Sequence, residues 1–414
     1  MITLRDYQVR ISSEATACLL KNRFVYLAME VRTGKTLTSL NAMNNLPGVK
    51  NVLFVTKKKA ISSIQNDYKL LNPSISMYTI NYESLHKIPD TKWDGIICDE
   101  THSLGAFPKP SKRAKQVRDL IRIHNPYVIF LSGTPTPESF SQMYHQVYGI
   151  PNNPFREFSN FYKFCSRYVN IKQRYLNGFN TKDYSGGKTS ILTAMKPYMI
   201  SYTQKAAGFP VVTNESVLKV KLKPSTYKLC SQLKKYLVIE GKEETILADT
   251  GVKLMSKLHQ MYSGTVKFES GKSMVLDNSK AEFIKSYFKG KKIGIFYKFK
   301  AEYKALKETF GDDLTNDLEE FNNTKKHIAL QIVSGREGIS LRLADTLVYY
   351  NIDFSATSYW QSKDRMTTKE RLVNNIYWIF SEGGIEDDIY KSVSKKKDYT
   401  LKHFKRDLLT LKGL

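Results

Sequence analysis

The sequence predicts an α/β protein of two successive lobes, each a parallel sheet flanked by helices, with small helical and loop insertions. Short apolar runs alternate with helical patterns in both halves of the chain, as in doubly wound sheets. Several of these runs stop at a polar cluster, as buried parallel strands do at the edge that binds ligands. In the first half, strands are predicted at about 24–28, 51–56, 77–80, 94–98 and 127–131, and helices at about 35–45, 59–70 and 112–123.

The second half repeats this alternation after a break in the pattern. From about 151 to 200 the chain is aromatic, basic and rich in turn residues, which indicates an elaboration on the first lobe. We therefore predict a first lobe over 1–210 and a second over 211–414. The predicted elements of the second lobe are a strand at 217–222, a helical segment at about 225–265 (helices at 225–240 and 252–262), strands at 292–297, 327–333, 346–350 and 376–380, and a basic C-terminal helix from about 386.

The balance of charge points to a polyanionic partner. Sixty-four Lys and Arg residues stand against 39 Asp and Glu residues, a formal net charge of +25, and nucleic acid is the commonest partner of so basic a protein. No apolar run approaches the ~20 residues that cross a bilayer, and the N-terminus lacks the pattern of a signal peptide. The four cysteines lie far apart and read as reduced thiols. We therefore expect a cytoplasmic protein with no membrane partner.

A phosphate-binding loop is predicted at Gly34-Lys35-Thr36, which follows a strand and opens a helix. Backbone N–H groups and the dipole at a helix start attract phosphate. Lys35 is expected to bridge the β- and γ-phosphates of a nucleoside triphosphate, and the Thr36 hydroxyl to bind Mg²⁺. The first glycine of the usual loop is absent, and Met29 stands there. The same triplet at Gly187-Lys188-Thr189 has no strand before it, so we interpret it as a surface turn.

A carboxylate pair, Asp99-Glu100, ends the strand that is predicted at 94–98. Asp99 is suited to hold the Mg²⁺ shell through water, and Glu100 to orient and deprotonate the attacking water. His102 follows at the same strand end, where it is either structural or able to report the state of the site to a neighbouring lobe. These positions predict a site for a nucleoside triphosphate, magnesium and water.

The motifs occur in an order that resembles the superfamily-two helicases, and more narrowly the Swi/Snf-type branch of DNA translocases. The quoted motifs are the phosphate loop, Asp99-Glu100-Thr101-His102 and Ser132-Gly133-Thr134-Pro135. Further segments similar to those of the family lie at 4–8, 51–57, 80–85, 334–341 with 344–345, and 361–365, so the resemblance spans roughly residues 4–371.

The resemblance implies two RecA-like lobes with ATP in a cleft between them, closing on ATP and opening after hydrolysis. Arg365 is then an arginine finger that reaches the γ-phosphate, and it joins Lys35, Asp99 and Glu100 as a catalytic residue. The implied nucleotide contacts are Gln8, Arg32, Thr33, Gly34, Lys35, Thr36, Asp99 and Gly338, with Thr36 and Asp99 on the metal. The implied coupling residues are His102, Ser132, Thr134 and Gln361, and the implied nucleic-acid contacts are Thr56, Lys57, Tyr82 and Ser334.

Two positions depart from the family pattern. The second arginine of the last motif is replaced by Thr368, for which Lys369 or Arg371 is a possible substitute. Arg32 occupies a loop position that is often glycine. We therefore expect hydrolysis to be slow or to depend on DNA that aligns the lobes.

The leading prediction is an ATP-dependent DNA helicase or translocase that acts on duplex, forked or branched DNA. No base-reading motif occurs, so low sequence specificity and phosphate-dominated binding are expected. The compact chain resembles phage-encoded members of the family, which suggests replication, recombination or repair, proteins of those processes as partners, and a monomer. Two alternatives stay open: an RNA helicase, and a nucleic-acid clamp that uses ATP only as a ligand.

Overall fold

A computed structural model describes residues 2–176, 179–208, 212–241, 243–332, 339–354, 362–363, 366 and 373–397 of the chain. By its internal contacts the chain divides into a first unit that extends to Phe209 and a second unit, Pro210–Lys395. Both units are α/β, with a six-stranded sheet in each.

The first unit is built on a sheet whose strand order is β3-β2-β4-β5-β1-β8, with every neighbouring pair parallel. Its inner strands β1, β2, β4 and β5 are apolar runs that are almost fully buried, whereas the edge strands β3 and β8 are partly exposed. One hydrophobic cluster lies above the sheet and another below it. This confirms the predicted fold class. The strands are β1 (Phe24–Met29), β2 (Asn51–Thr56), β3 (Ser76–Asn81), β4 (Gly95–Cys98), β5 (Tyr127–Leu131), β6 (Lys172–Leu176), β7 (Phe179–Asp183) and β8 (Met199–Tyr202).

Four helices accompany this sheet, and one of them lies outside the sequence prediction. Helix α1 (Asp6–Asn22) begins where the Gln8 side chain accepts a hydrogen bond from the backbone N–H of Arg5. Its apolar side, which includes Ile11, Ala15 and Leu19, is buried against the sheet. The other three are α2 (Lys35–Asn44), α3 (Ile61–Leu71) and α4 (Lys112–His124), close to the predicted ranges.

The elaboration of the first unit consists of α5 (Met143–Val147), α6 (Phe161–Tyr168), the antiparallel pair β6–β7 and α7 (Ser190–Met195). Many of its aromatic side chains form a buried core, which includes Phe155, Phe164 and Tyr168. The second Gly-Lys-Thr triplet lies here, and Gly187 is buried and bridges Val169. Gly187 therefore has a packing role, so the prediction of a surface turn is wrong for the glycine, whereas Thr189 is exposed.

The second unit repeats the architecture, with strand order β15-β16-β14-β17-β18-β9 and every neighbouring pair parallel. Beside this sheet, a small separate core packs helices α8 and α9 against two hairpins. The strands are β9 (Val212–Val220), β10 (Val238–Glu240), β11 (Thr245–Leu247), β12 (Thr265–Lys267), β13 (Ser273–Val275), β14 (Ile293–Tyr297), β15 (Leu314–Thr315), β16 (His327–Gln331), β17 (Thr346–Tyr349) and β18 (Val373–Ser381). The helices are α8 (Pro224–Tyr236), α9 (Gly251–Tyr262), α10 (Ser279–Tyr287), α11 (Lys300–Phe310), α12 (Leu318–Asn323) and α13 (Glu386–Lys397).

One helix of the second unit differs from the prediction. Helix α8 ends at Tyr236 because Leu237 adopts a left-handed φ of 61°, and β10 follows at once. Helix α13 begins at the predicted residue, and its first turn is acidic, with Glu386, Asp387 and Asp388. Carboxylates at a helix N-terminus are favoured by the helix dipole.

Candidate nucleotide and nucleic-acid site

The carboxyl ends of β1, β4 and β5 meet at one edge of the first sheet, because these strands are parallel neighbours or next neighbours. The loop that leaves β1 carries the predicted phosphate-binding residues. Arg32 and Gly34 both adopt left-handed φ angles, 63° and 78°, and this reverses the chain before α2 begins at Lys35. Thr33 is buried between them, and its hydroxyl donates to the carbonyl of Glu30 at 2.7 Å. The structure therefore has the strand, loop and helix that a phosphate site requires.

The start of α1 contacts this loop. The Tyr7 hydroxyl donates to the Thr33 carbonyl at 3.2 Å, and a Cβ placed on Gly34 would collide with the amide nitrogen of Gln8. Gln8 and the loop are thus adjacent, as the predicted nucleotide contacts require. Gln204, which follows the end of β8, contacts the loop as well. Its backbone N–H donates to the Glu30 carboxylate at 2.8 Å.

Tyr7 and Gln204 therefore hold the phosphate loop, and neither was predicted to do so. Tyr7 lies next to Gln8 in the segment 4–8, which is similar to a segment of the family, so its place beside the loop could have been inferred from the sequence. Gln204 has no such signal, because it reaches the loop from a strand that follows it by more than 160 residues.

Asp99 follows the last residue of β4, and two hydrogen bonds hold it in place. The Thr56 hydroxyl donates to Asp99 Oδ2 at 3.0 Å, and the Tyr82 hydroxyl donates to the Asp99 carbonyl at 2.6 Å. Burial raises the pKa of Asp99 to about 6, and the charge of Glu100 adds to the effect, whereas Lys35 and the Thr56 hydrogen bond oppose it.

The pKa of the neighbouring Glu100 is shifted in the opposite direction. The residue adopts a left-handed φ of 50°, and its Oε2 lies 3.2 Å from His102 Nδ1. Burial favours the neutral acid, but the hydrogen bond and charge of His102, with the charges of Lys35 and Lys57, outweigh it and hold the pKa of Glu100 below its usual range. The lysine of the phosphate loop therefore acts electrostatically on both carboxylates.

Three of the predicted coupling residues form one hydrogen-bonded chain. His102 is buried, and its Nδ1 lies 3.1 Å from Ser132 Oγ. Ser132 Oγ in turn accepts the backbone N–H of Thr134 at 3.1 Å. The turn after β5 is therefore tied through His102 to the carboxylate of Glu100. Gln361, the fourth predicted coupling residue, lies outside the described residues.

The predicted nucleic-acid contacts have to be revised in part. The side chains of Thr56 and Tyr82 are fully buried and bind Asp99, so they do not offer a surface to nucleic acid. Lys57 is partly exposed at the end of β2, and Lys58 and Lys59 after it are exposed. The remaining predicted site residues, Ser334, Gly338 and Arg365, lie outside the described residues, as do Thr368, Lys369 and Arg371.

The site suits a magnesium ion that is bound together with phosphate. A hydroxyl at Thr36 and a carboxylate at Asp99 are oxygen donors of the kind Mg²⁺ takes, with the remaining ligands supplied by phosphate and water. Among the described residues, no group of three or more His, Cys, Asp or Glu side chains forms a metal site by itself. Nor does any helix in the described part of the chain have the length and apolarity needed to span a membrane.

Fold and site together define a two-unit α/β protein with a phosphate loop and a carboxylate pair at one sheet edge. The model of the SNF2-related domain matches residues 24–271, more than half of the chain, and the chain belongs to this family. The resemblance to the Swi/Snf-type branch of superfamily two is thereby confirmed.

Two relatives illustrate the similarity. The chain is 21% identical to the SWI/SNF chromatin-remodeling complex subunit snf22 of Schizosaccharomyces pombe (strain 972 / ATCC 24843), over 85% of this chain and 23% of that protein. It thus spans about a quarter of the length of that relative. A solved structure, the Sulfolobus solfataricus SWI2/SNF2 ATPase core in complex with dsDNA, is 16% identical with a TM-score of 0.42, covering 99% of this chain and 94% of that one.

Proposed function

We propose that the protein is a nucleic-acid-stimulated ATPase that translocates on or unwinds duplex, forked or branched DNA. Membership of the SNF2-related family supports the reaction class. The observation that carries the proposal is geometric: the phosphate loop after β1 and the carboxylate pair after β4 lie at one edge of the same parallel sheet. A triphosphate on the loop would therefore place its terminal phosphate beside the two carboxylates.

The residues of the chain divide the work of hydrolysis. Lys35 and the N-terminus of α2 bind phosphate oxygens. Asp99 and Thr36 would hold Mg²⁺, which when bound neutralises charge on the phosphates. Glu100, with its lowered pKa, stays ionised and can accept a proton from the attacking water. Glu100 contacts His102, and His102 contacts Ser132, so the turn after β5 is linked to the site and can respond to its state.

The net charge of +25 supports a polyanion as the polymer along which the protein moves. The proposed contacts to the nucleic-acid backbone beside the site are Lys57, Lys58 and Lys59. Phosphate contacts of this kind carry no sequence information, so binding should be insensitive to sequence and sensitive to salt. The roles of Arg365 as arginine finger and of Gln8 in reading adenine remain predictions, as do a phage origin and a place in replication, recombination or repair.

The test is an ATPase panel with duplex, single-stranded and forked DNA and with RNA, run beside a strand-displacement assay. DNA should stimulate turnover, and stimulation by RNA alone would favour the RNA helicase. ATP-dependent binding without turnover would favour the clamp. Equal, unstimulated turnover with all four would contradict the proposal.

A pair of lysine variants sharpens this panel. Lys35→Ala should lose most ATP affinity or turnover. Lys188→Ala is the matched control in the second Gly-Lys-Thr triplet, where the lysine donates to the Arg167 carbonyl at 2.9 Å. It should leave turnover unchanged, and equal losses in both variants would remove Lys35 from the proposed role.

A further inference from the structure

A buried chain of polar side chains lies behind the candidate site and takes no part in the chemistry described above. Thr101 Oγ1 donates to the Tyr26 hydroxyl at 2.9 Å, and Tyr26 donates to Gln146 Oε1 at 2.8 Å. Gln146 Nε2 then donates to the carbonyl of Pro135 at 2.8 Å. All three side chains are buried, with exposed fractions of 0% for Thr101, 0% for Tyr26 and 3% for Gln146.

The two ends of this chain are neighbours of site residues. Thr101 lies between Glu100 and His102, and Pro135 follows Thr134. The middle of the chain comes from β1, which leads into the phosphate loop, and from α5 of the elaboration. The chain thus joins the elements that carry the phosphate loop, the carboxylate pair and the turn after β5.

Each link is costly to break, because a buried polar group that loses its partner is not rehydrated. Tyr26 both accepts and donates, so loss of its hydroxyl removes two consecutive links at once. The carboxylate turn and the turn after β5 would then be joined only by the longer bond from Thr101 Oγ1 to the Leu131 carbonyl, at 3.3 Å, and by the His102–Ser132 contact at 3.1 Å. Mere satisfaction of buried groups would explain the stability of such a chain, but not its attachment at both ends to site turns.

We propose that Tyr26 and Gln146 are positioning residues that set the carboxylate turn against the turn after β5, so that nucleic acid can stimulate hydrolysis. The inference rests on the proposed function and adds to it a device inside the first unit. In this proposal, a change at one turn reaches the other through the chain, because a fully satisfied buried polar network is rigid.

The test is Tyr26→Phe, which removes the hydroxyl and keeps the ring beside Phe130, whose centroid lies 6.2 Å away. The ratio of DNA-stimulated to basal turnover should fall about fivefold, the factor that corresponds to a typical buried hydrogen bond of about 1 kcal/mol. The KM for ATP should change less than about twofold, because the phosphate loop keeps its own contacts. Gln146→Leu should give the same result and serves if Tyr26→Phe does not fold.

Tyr144→Phe is the matched control. Tyr144 is also a buried tyrosine of the first unit, and its hydroxyl donates to the Phe158 carbonyl at 3.0 Å, away from the site turns. It should lose comparable thermal stability and keep the wild-type stimulation ratio. If Tyr26→Phe also keeps that ratio while the wild type is stimulated, the inference is overturned alone. If the wild type shows no stimulation by any nucleic acid, the proposed function falls and the inference with it.

Discussion

The hydrogen bond from Thr56 to Asp99 makes a prediction about magnesium whose size can be worked out. Thr56→Val removes the hydroxyl that donates to Asp99 Oδ2 at 3.0 Å and that holds down the pKa of this carboxyl. A buried hydrogen bond to a charged group contributes roughly 1.5–3 kcal/mol, and one pKa unit corresponds to about 1.4 kcal/mol. At the lower end of that range, the pKa of Asp99 would rise from about 6 by about one unit.

A proton on Asp99 competes with Mg²⁺, so this change alters the magnesium dependence of turnover as a function of pH. With the pKa values above, the half-saturating Mg²⁺ concentration should rise about fivefold at about pH 6 and about twofold at about pH 7. The half-saturating Mg²⁺ concentration should be unchanged at about pH 8.5, where Asp99 is ionised in both the wild type and the variant. The measurement is ATP turnover against Mg²⁺ at these three pH values.

Thr226→Val is the matched control in the second unit. There a buried threonine hydroxyl donates to the Asp277 carboxylate at 2.8 Å, with the same chemistry but outside the site. It should lower stability and leave the magnesium dependence as in the wild type. A Thr56→Val protein whose half-saturating Mg²⁺ equals that of the wild type at the lowest pH would refute the reasoning.

Three further predictions concern the loop and the second unit. Gly34→Ala should weaken nucleotide binding in a fluorescent-ATP titration, because its Cβ displaces the side-chain amide of Gln8 from the loop. Gly48→Ala has the same φ of 78° with open space around it, so it should cost only about 1 kcal/mol of stability and bind nucleotide normally. Glu386→Gln should destabilise the protein by roughly 3–5 kcal/mol in urea unfolding, because the fully buried Lys280 ammonium, which lies 2.8 Å from the Glu386 carboxylate, loses its counter-charge. A loss of less than about 1 kcal/mol would contradict this prediction. Burial lowers the pKa of His259 to about 3, so below about pH 6.5 the unfolded chain binds more protons than the folded protein, and the free energy of unfolding should decrease as the pH is lowered, by about 2 kcal/mol at about pH 5. His259→Gln should make the free energy of unfolding less dependent on pH, and an unchanged slope would argue against this assignment.

The strands of the first sheet could be predicted because their cores are continuous apolar runs bounded by polar residues. The same property hid the direction of the side chains. In β2 every residue from Val52 to Thr56 is buried, so no alternation told which side of the sheet Thr56 faces. It was expected to contact nucleic acid and instead binds Asp99.

Other parts of the site depend on contacts that no local pattern records. Helix α1 has a weak periodicity, and its register is set where Gln8 meets the phosphate loop. The left-handed Arg32 could not be foreseen from a residue type that rarely adopts that conformation. Tyr26 and Gln146 stand 120 positions apart, and only the fold brings them together.

The most direct test of the account is ATP turnover by Glu100→Gln, with and without duplex DNA, beside direct measurements of ATP and DNA binding. The account assigns to Glu100 the proton of the attacking water, so this variant should bind both ligands and fail to hydrolyse ATP in either condition. Turnover at the wild-type rate, stimulated by DNA as in the wild type, would contradict it.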